Sequence, residues 1–199
     1  MRDAFVVDAV RTPMGSFNGV FSSVPATKLG SISIAEALKR VHVLPEHVDD
    51  VLMGCVLSAG LGQAPARQAS IGAGIPHSIG ATTVNKVCGS SIQTVMMASQ
   101  AIALGEAAIV VAGGMENMTR APYLLEKARQ GYRLGHDQLV DSVIKDGLWD
   151  VYNDFHMGNA GECVADTYKV TREQQDQYSA DSHRKAAAAQ TSGKFDAEI

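Results

Sequence analysis

A β-prone segment at residues 81–85 gives way to Ser90–Leu104, apolar almost all round, and then to an uninterrupted apolar run at 107–112 that ends in Gly113-Gly114. Strand, long helix and strand in that order form a βαβ unit, and two strands joined by a helical crossover lie parallel in one sheet. The chain is therefore expected to be an α/β layer structure with a largely parallel sheet. Ile92, Val95, Met96, Met97, Ala98, Ala101 and Ile102 leave no broad polar stripe, so this helix is expected to be buried on most faces. Gly105 is its natural stop. The run at 107–112 shows no alternation, which predicts a strand covered on both faces.

The segments before this unit repeat the rhythm. Residues 4–10, rich in Val and Phe, read as a first strand, broken by Arg11-Thr12-Pro13-Met14-Gly15. Pro25 suits the first turn of a helix reaching Arg40, with Leu29, Ile32, Ile34 and Leu38 as buried positions. A second strand is expected at 51–57 and a small-residue helix at 64–74. After Gly114 the texture becomes polar and Met-rich, which places a boundary near Thr119. Residues 1–119 are then an α/β domain and 120–199 a loop domain with helices of its own. Thr171 and Gln174 have capping-box spacing and open a last helix that runs on before Gly193.

With 199 residues the chain can bury a sizeable core. Hydrophobic residues make up 46% and charged residues 19%, and the net charge of -4 leaves no basic footprint for nucleic acid. Cys55, Cys88 and Cys163 are widely spaced, odd in number and without Cys/His metal spacing, so no metal is expected and a reducing cytoplasm is the expected compartment. Acidic residues interrupt the N-terminus before a signal-peptide core develops, and no run is expected to approach a membrane span of about 20 residues.

Cys88 is the candidate nucleophile. A free cysteine is ordinarily a small buried hydrophobe. This one lies between a strand and a helix and precedes Gly89-Ser90-Ser91. A thiol there meets the unpaired N–H groups and the positive end of the helix dipole, both of which favour a thiolate. Cys55, inside a predicted strand, and Cys163, in Glu162-Cys163-Val164-Ala165, lack that setting and are expected in the core. The glycine-rich stretch from Gly60 to Gly74 contains no phosphate-loop spacing, so its glycines are expected to serve close packing, and Arg67 and Gln68 to make internal hydrogen bonds.

The particular residues around these positions resemble the thiolase family. The resemblance runs through Asp8-Ala9-Val10-Arg11-Thr12-Pro13-Met14-Gly15, Gly60-Leu61-Gly62-Gln63-Ala64-Pro65-Ala66-Arg67-Gln68-Ala69 and Val84-Asn85-Lys86-Val87-Cys88-Gly89-Ser90-Ser91. It continues through Ala112-Gly113-Gly114-Met115-Glu116-Asn117-Met118 and Phe155-His156-Met157-Gly158, in family order. It implies a thiolase-like layered fold comprising a first βαβαβ-type half and part of an inserted loop domain that binds CoA. It implies an acyltransferase that condenses two acetyl-CoA into acetoacetyl-CoA and CoA, or cleaves acetoacetyl-CoA in reverse. Cys88 would carry the acyl group as a thioester, with its own backbone N–H at the oxyanion. Leu148 would pack the CoA arm, and His156 and Met157 would line the acyl and pantetheine tunnel.

No cofactor is implied beyond the CoA thioesters that are substrates. A homodimer or homotetramer and a place in fatty acid metabolism are the corresponding expectations, with neither nucleic acid nor membrane as partner. The related condensing enzymes, ketoacyl synthase and hydroxymethylglutaryl-CoA synthase, also load an acyl group on cysteine, and a non-catalytic thiolase-like subunit is the alternative of another class. Family members also carry a Gly-His-Pro histidine that activates the nucleophile, a second Cys-Gly cysteine that acts as base and a water-positioning asparagine. The 199 residues contain neither motif, so this chain by itself is expected to turn over little and to self-associate through uncovered core surface.

Overall fold

Three parallel strands form the centre of the first half of the molecule. In the computed structural model, which describes residues 2–199, β1 (Asp50–Gly54) pairs with β2 (Gly80–Val84) on one side and β3 (Val110–Gly114) on the other, giving the order β2-β1-β3. Registers are in step: Asp50 lies opposite Gly80 and Val110, and Gly54 opposite Val84 and Gly114. All three strands therefore end at one level. The helices are α1 (Ala26–Arg40), α2 (Pro65–Gly72) and α3 (Ser90–Leu104), each a crossover between parallel strands or a lead-in to the first.

The alternation of β1 separates two layers. Val51, Met53 and Cys55 join a buried cluster with Ala26, Ile34 and Leu38 of α1 and Ala66 and Ala69 of α2. On the opposite pleat, a Cβ placed on Gly54 would meet Ser90 and Ser91, so α3 lies on that face. Small residues set the approach of α1 to α2: a Cβ on Gly30 would come within 3.3 Å of Ala69 Cβ, and one on Gly72 within 3.1 Å of Ser31 Cβ. Arg67 and Gln68 make the expected internal bonds. The Arg67 guanidinium donates to the carbonyls of Ile79 and His77, and the Gln68 amide to those of Leu61 and Gln63.

Several expectations need correction. Residues 4–10 form no strand; they run extended with Phe5, Val6 and Val7 exposed, and no backbone ladder joins them to a neighbour among the described residues. β-propensity without a paired strand leaves the amide groups to solvent, and a cavity of about 590 Å³ separates this segment from β3. β3 is accordingly an edge strand of intermediate burial, not one covered on both faces. The helix α3 buries only Ser90, Thr94 and Ala98, leaving Ile92 64% exposed and Val95 and Met96 exposed as well. Ile32 of α1 also faces outward, since the buried stripe follows Ala26, Gly30, Ile34 and Leu38 at four-residue intervals. Finally, the window Val87–Leu104 is long and apolar enough by composition to cross a membrane, contrary to the expectation that no run approaches such a length. Its Thr94 is nonetheless seated against β3, with Oγ1 donating to Gly113 O.

The chain divides into two compact units, the first ending at Gly147 and the second comprising Leu148–Ile199. This division falls later than the change of texture near Thr119. The reason lies in the first unit: β4 (Tyr123–Leu124) pairs antiparallel with β5 (Val140–Asp141), and buried Ser142 donates its hydroxyl to Pro122 O at 2.5 Å. In the second unit, β6 (Trp149–Asp150) and β7 (Phe155–His156) make a short hairpin followed by α4 (Met157–Tyr168) and α5 (Arg172–Thr191). The predicted capping box is present, with Thr171 Oγ1 accepting from Gln174 N and Gln174 Oε1 from Thr171 N. Cys163, expected in a core, is exposed on α4.

Candidate active site

Cys88 occupies an elbow between β2 and α3 whose backbone is held against its preference. Val87, just before it, has φ +48°, the left-handed region that a β-branched side chain avoids. Such a conformation costs about 1–3 kcal/mol and persists only where its surroundings over-determine it. Here they do. Asn85 Oδ1 accepts the Val87 N–H at 3.0 Å, while Ser90 Oγ accepts the Lys86 N–H at 2.8 Å and donates to Val87 O at 2.6 Å. Ser90 N–H also reaches Val87 O, and Gly89 N–H closes a turn on Lys86 O. The Lys86 ammonium is tied to Gln93 Oε1, one turn into the helix.

Two strand-end glycines let the helix start lie directly on the sheet. A Cβ on Gly54 would stand 2.8 Å from Ser90 Cβ and Ser91 N and 2.9 Å from Ser90 C, and one on Gly114 would collide with Ser91 Oγ. Two of the three contacts at Gly54 are with backbone, which cannot swing aside. The thiol of Cys88 is thereby exposed at the rim of a cavity of about 360 Å³, lined in part by Cys55, Val56, Val87, Met115 and Glu116. Fixed geometry, exposure and the N-terminal end of a fifteen-residue helix are the conditions under which a cysteine acts as a nucleophile.

Cys55 shares the cavity wall and cannot share that role. Burial, and then the negative charge of Glu116, push its thiol up to about 12, so it remains protonated at neutral pH. Glu116 itself is a residue to which the sequence assigned no task. Its Oε2 accepts the N–H groups of Val56 at 2.8 Å and Leu57 at 3.1 Å, fixing the chain where it leaves β1. Its Oε1 is buried with no hydrogen-bond partner among the described residues. The neighbouring Asn117 donates to Phe21 O and Val24 O at 2.8 Å and caps the following 3-10 turn. The Met-Glu-Asn stretch is thus a clamp on loops at one end of the sheet.

The second unit carries the other predicted site residues. Leu148 closes a π-helical turn, Val143–Leu148, and is partly buried. His156 is paired with Trp149 across the hairpin and caps α4, its Nδ1 accepting the Gly158 N–H at 2.9 Å. When the ring is neutral this puts its proton on Nε2. Met157 begins α4 and is exposed. The hairpin turn is organised by Asp150, whose carboxylate accepts from the Asn153 side chain and from the Tyr152 and Asn153 N–H groups, bonds that hold it below the usual carboxylate range. His156 and Met157 are therefore brought together at one helix start.

The fold and the elbow define a class: an α/β unit that presents an exposed cysteine where a strand turns into a helix. The family described as "Thiolase, N-terminal domain" matches residues 4–199, and the chain belongs to it. Acetyl-CoA acetyltransferase 2 of Arabidopsis thaliana is 57% identical over 198 residues, which is 100% of this chain and 49% of that protein. The acetyl-CoA acetyltransferase of Cupriavidus necator is 53% identical over 199 residues, covering 100% of this chain and 51% of its own length. That of Escherichia coli K12 is 52% identical over 200 residues with the same coverage. The chain spans about half the length of the curated relatives it matches.

Proposed function

We propose that this chain supplies the acyl-accepting nucleophile of an acetyl-CoA acetyltransferase, and that Cys88 is that nucleophile. The observation that carries the reading is the exposed Cys88 thiol at a strained elbow before α3, in a chain whose relatives are named acetyl-CoA acetyltransferases. In the first half-reaction the Cys88 thiolate attacks the carbonyl carbon of acetyl-CoA. The bond from that carbon to the CoA sulfur breaks, CoA leaves and takes up a proton, and acetyl-Cys88 remains. The exchange of one thioester for another is nearly balanced, so the barrier is governed by the charge on the tetrahedral oxygen. The backbone N–H of Cys88 is the proposed donor to that oxygen from this chain.

In the second half-reaction the α-carbon of another acetyl-CoA loses a proton to a base and attacks acetyl-Cys88. Acetoacetyl-CoA forms and the thiolate is released; thiolysis is the reverse. The base and the histidine that activates Cys88 are, by the family resemblance, residues outside the motifs present here. Leu148, His156 and Met157 are proposed as substrate-binding residues for the CoA arm and acyl group. A cytoplasmic location, a homo-oligomer and a role in fatty acid metabolism complete the reading. The test is incubation of the product of the complete reading frame with acetoacetyl-CoA and CoA, following loss of the acetoacetyl-CoA absorbance. Thiolysis that vanishes in Cys88→Ala supports the reading, and thiolysis retained by that variant refutes it.

A further inference from the structure

We infer that Ser90 is a positioning residue for Cys88, acting by locking Val87 in its left-handed conformation. The inference deepens the reading of Cys88 as nucleophile and rests on it. Ser90 is almost fully buried, and its hydroxyl makes two bonds that span the elbow, one received from Lys86 N–H at 2.8 Å and one given to Val87 O at 2.6 Å. Its own N–H adds a third bond, to Val87 O at 3.1 Å. The residues it bridges are the two immediately before Cys88. A valine at φ +48° returns to the extended or right-handed region unless it is held, and either change swings the next residue away from the helix start.

Ser90 is buried at the close contact between α3 and β1. It lies close over β1, since a Cβ on Gly54 would stand 2.8 Å from Ser90 Cβ. Asn85 holds the Val87 N–H, but its bond reaches only one side of the peptide. The carbonyl side depends on Ser90. Ser90→Ala would keep the Ser90 N–H bond to Val87 O but lose both hydroxyl bonds, the one to Val87 O and the one from Lys86 N–H, and the hold matters because Val87 stands where glycine would be unstrained.

The three cysteines make the test internal to one molecule. Cys88 reports the elbow, exposed Cys163 in the second unit is the reference, and buried Cys55 reports unfolding. The protein is treated with iodoacetamide and each cysteine's alkylation rate is read by peptide mass spectrometry. Ser90→Ala is expected to slow Cys88 by roughly tenfold relative to Cys163, with Cys55 still protected. Adding Val87→Gly, which accepts the left-handed conformation without strain, is expected to bring Cys88 back within about twofold of the parent. If Ser90→Ala exposes Cys55 by unfolding, Val87→Gly is expected to restore its protection.

An unchanged Cys88 rate in Ser90→Ala overturns the inference, as does a defect that Val87→Gly leaves in place. Iodoacetamide requires no acyl transfer. A protein that fails to thiolyse acetoacetyl-CoA while showing this rescue pattern would therefore reject the proposed function and keep the positioning role.

Discussion

Cys88 and Cys163 are both exposed cysteines, and almost everything else about them differs. Cys163 lies within α4, where its backbone belongs to a regular helix and its neighbours impose nothing unusual. Cys88 precedes α3 on a backbone kept out of its preferred conformation, over two glycines that bring the helix start onto the strand ends. Exposure alone makes a thiol reachable. What would equip it for chemistry is a position fixed relative to donors for developing negative charge, which is the role proposed for the Cys88 elbow.

The contrast breaks most visibly at Gly54. Gly54→Val should destabilise the first unit by about 1–3 kcal/mol, because its added carbon would need space occupied by Ser90 and Ser91 backbone. It should also displace Cys88 enough to abolish acyl transfer while leaving Cys163 alkylation unchanged. Thermal unfolding and site-resolved alkylation measure the two effects, and a variant with parental stability and Cys88 reactivity would remove the close-packed elbow from the account. Thr94→Val comes next. Thr94 is fully buried and its single hydroxyl proton is shared between Ser91 O at 2.7 Å and Gly113 O at 3.0 Å, so an isosteric methyl should cost about 1–2 kcal/mol in a denaturant titration.

Thr171→Ala touches the second unit instead. Losing the capping box of α5 should cost about 1 kcal/mol, seen as faster amide exchange in its first turn, with the Cys88 alkylation rate unmoved. A change at Cys88 would mean that the two regions are not as separate in behaviour as their architectures suggest. A pH dependence is expected at Cys55 as well. Its thiol is raised from 9.0 to about 12 in the folded state, so the folded state binds the proton more tightly than the unfolded one. That contribution is fully present below pH 9 and is lost as pH rises toward 12. Denaturation midpoints measured across that window should fall less steeply for Cys55→Ala than for the parent.

Much of the helical structure was legible because its determinants are local. The bounds of α3, its glycine stop at φ +78°, and the capping box of α5 all depend on residues within a few positions of one another. Burial was less legible because it depends on what covers an element. The apolar faces of α3 and the run at 107–112 promised complete coverage, yet Ile92 is exposed and β3 is an edge. Residues 4–10 show the same limit, since composition can favour an extended chain but cannot supply its hydrogen-bonding partner. At the site, Cys88 could be singled out from its place between strand and helix. Val87's strain and the tasks of Ser90 and Glu116 could not, because they arise from a φ angle and from bonds that become visible only when the loops around the elbow are assembled. A valine immediately before the cysteine, where glycine would be the easier residue, was the available signal for the first of these.

The central claim is that Cys88, and not another thiol, receives the acyl group. The most direct measurement is brief incubation of the product of the complete reading frame with acetyl-CoA labelled in its acetyl carbon, followed by acid quench and peptide mapping. The account predicts label on the peptide containing Cys88, released by hydroxylamine as a thioester should be, with none on the peptide of Cys163 or Cys55. Label on Cys163, or the same total label in Cys88→Ala, would contradict it.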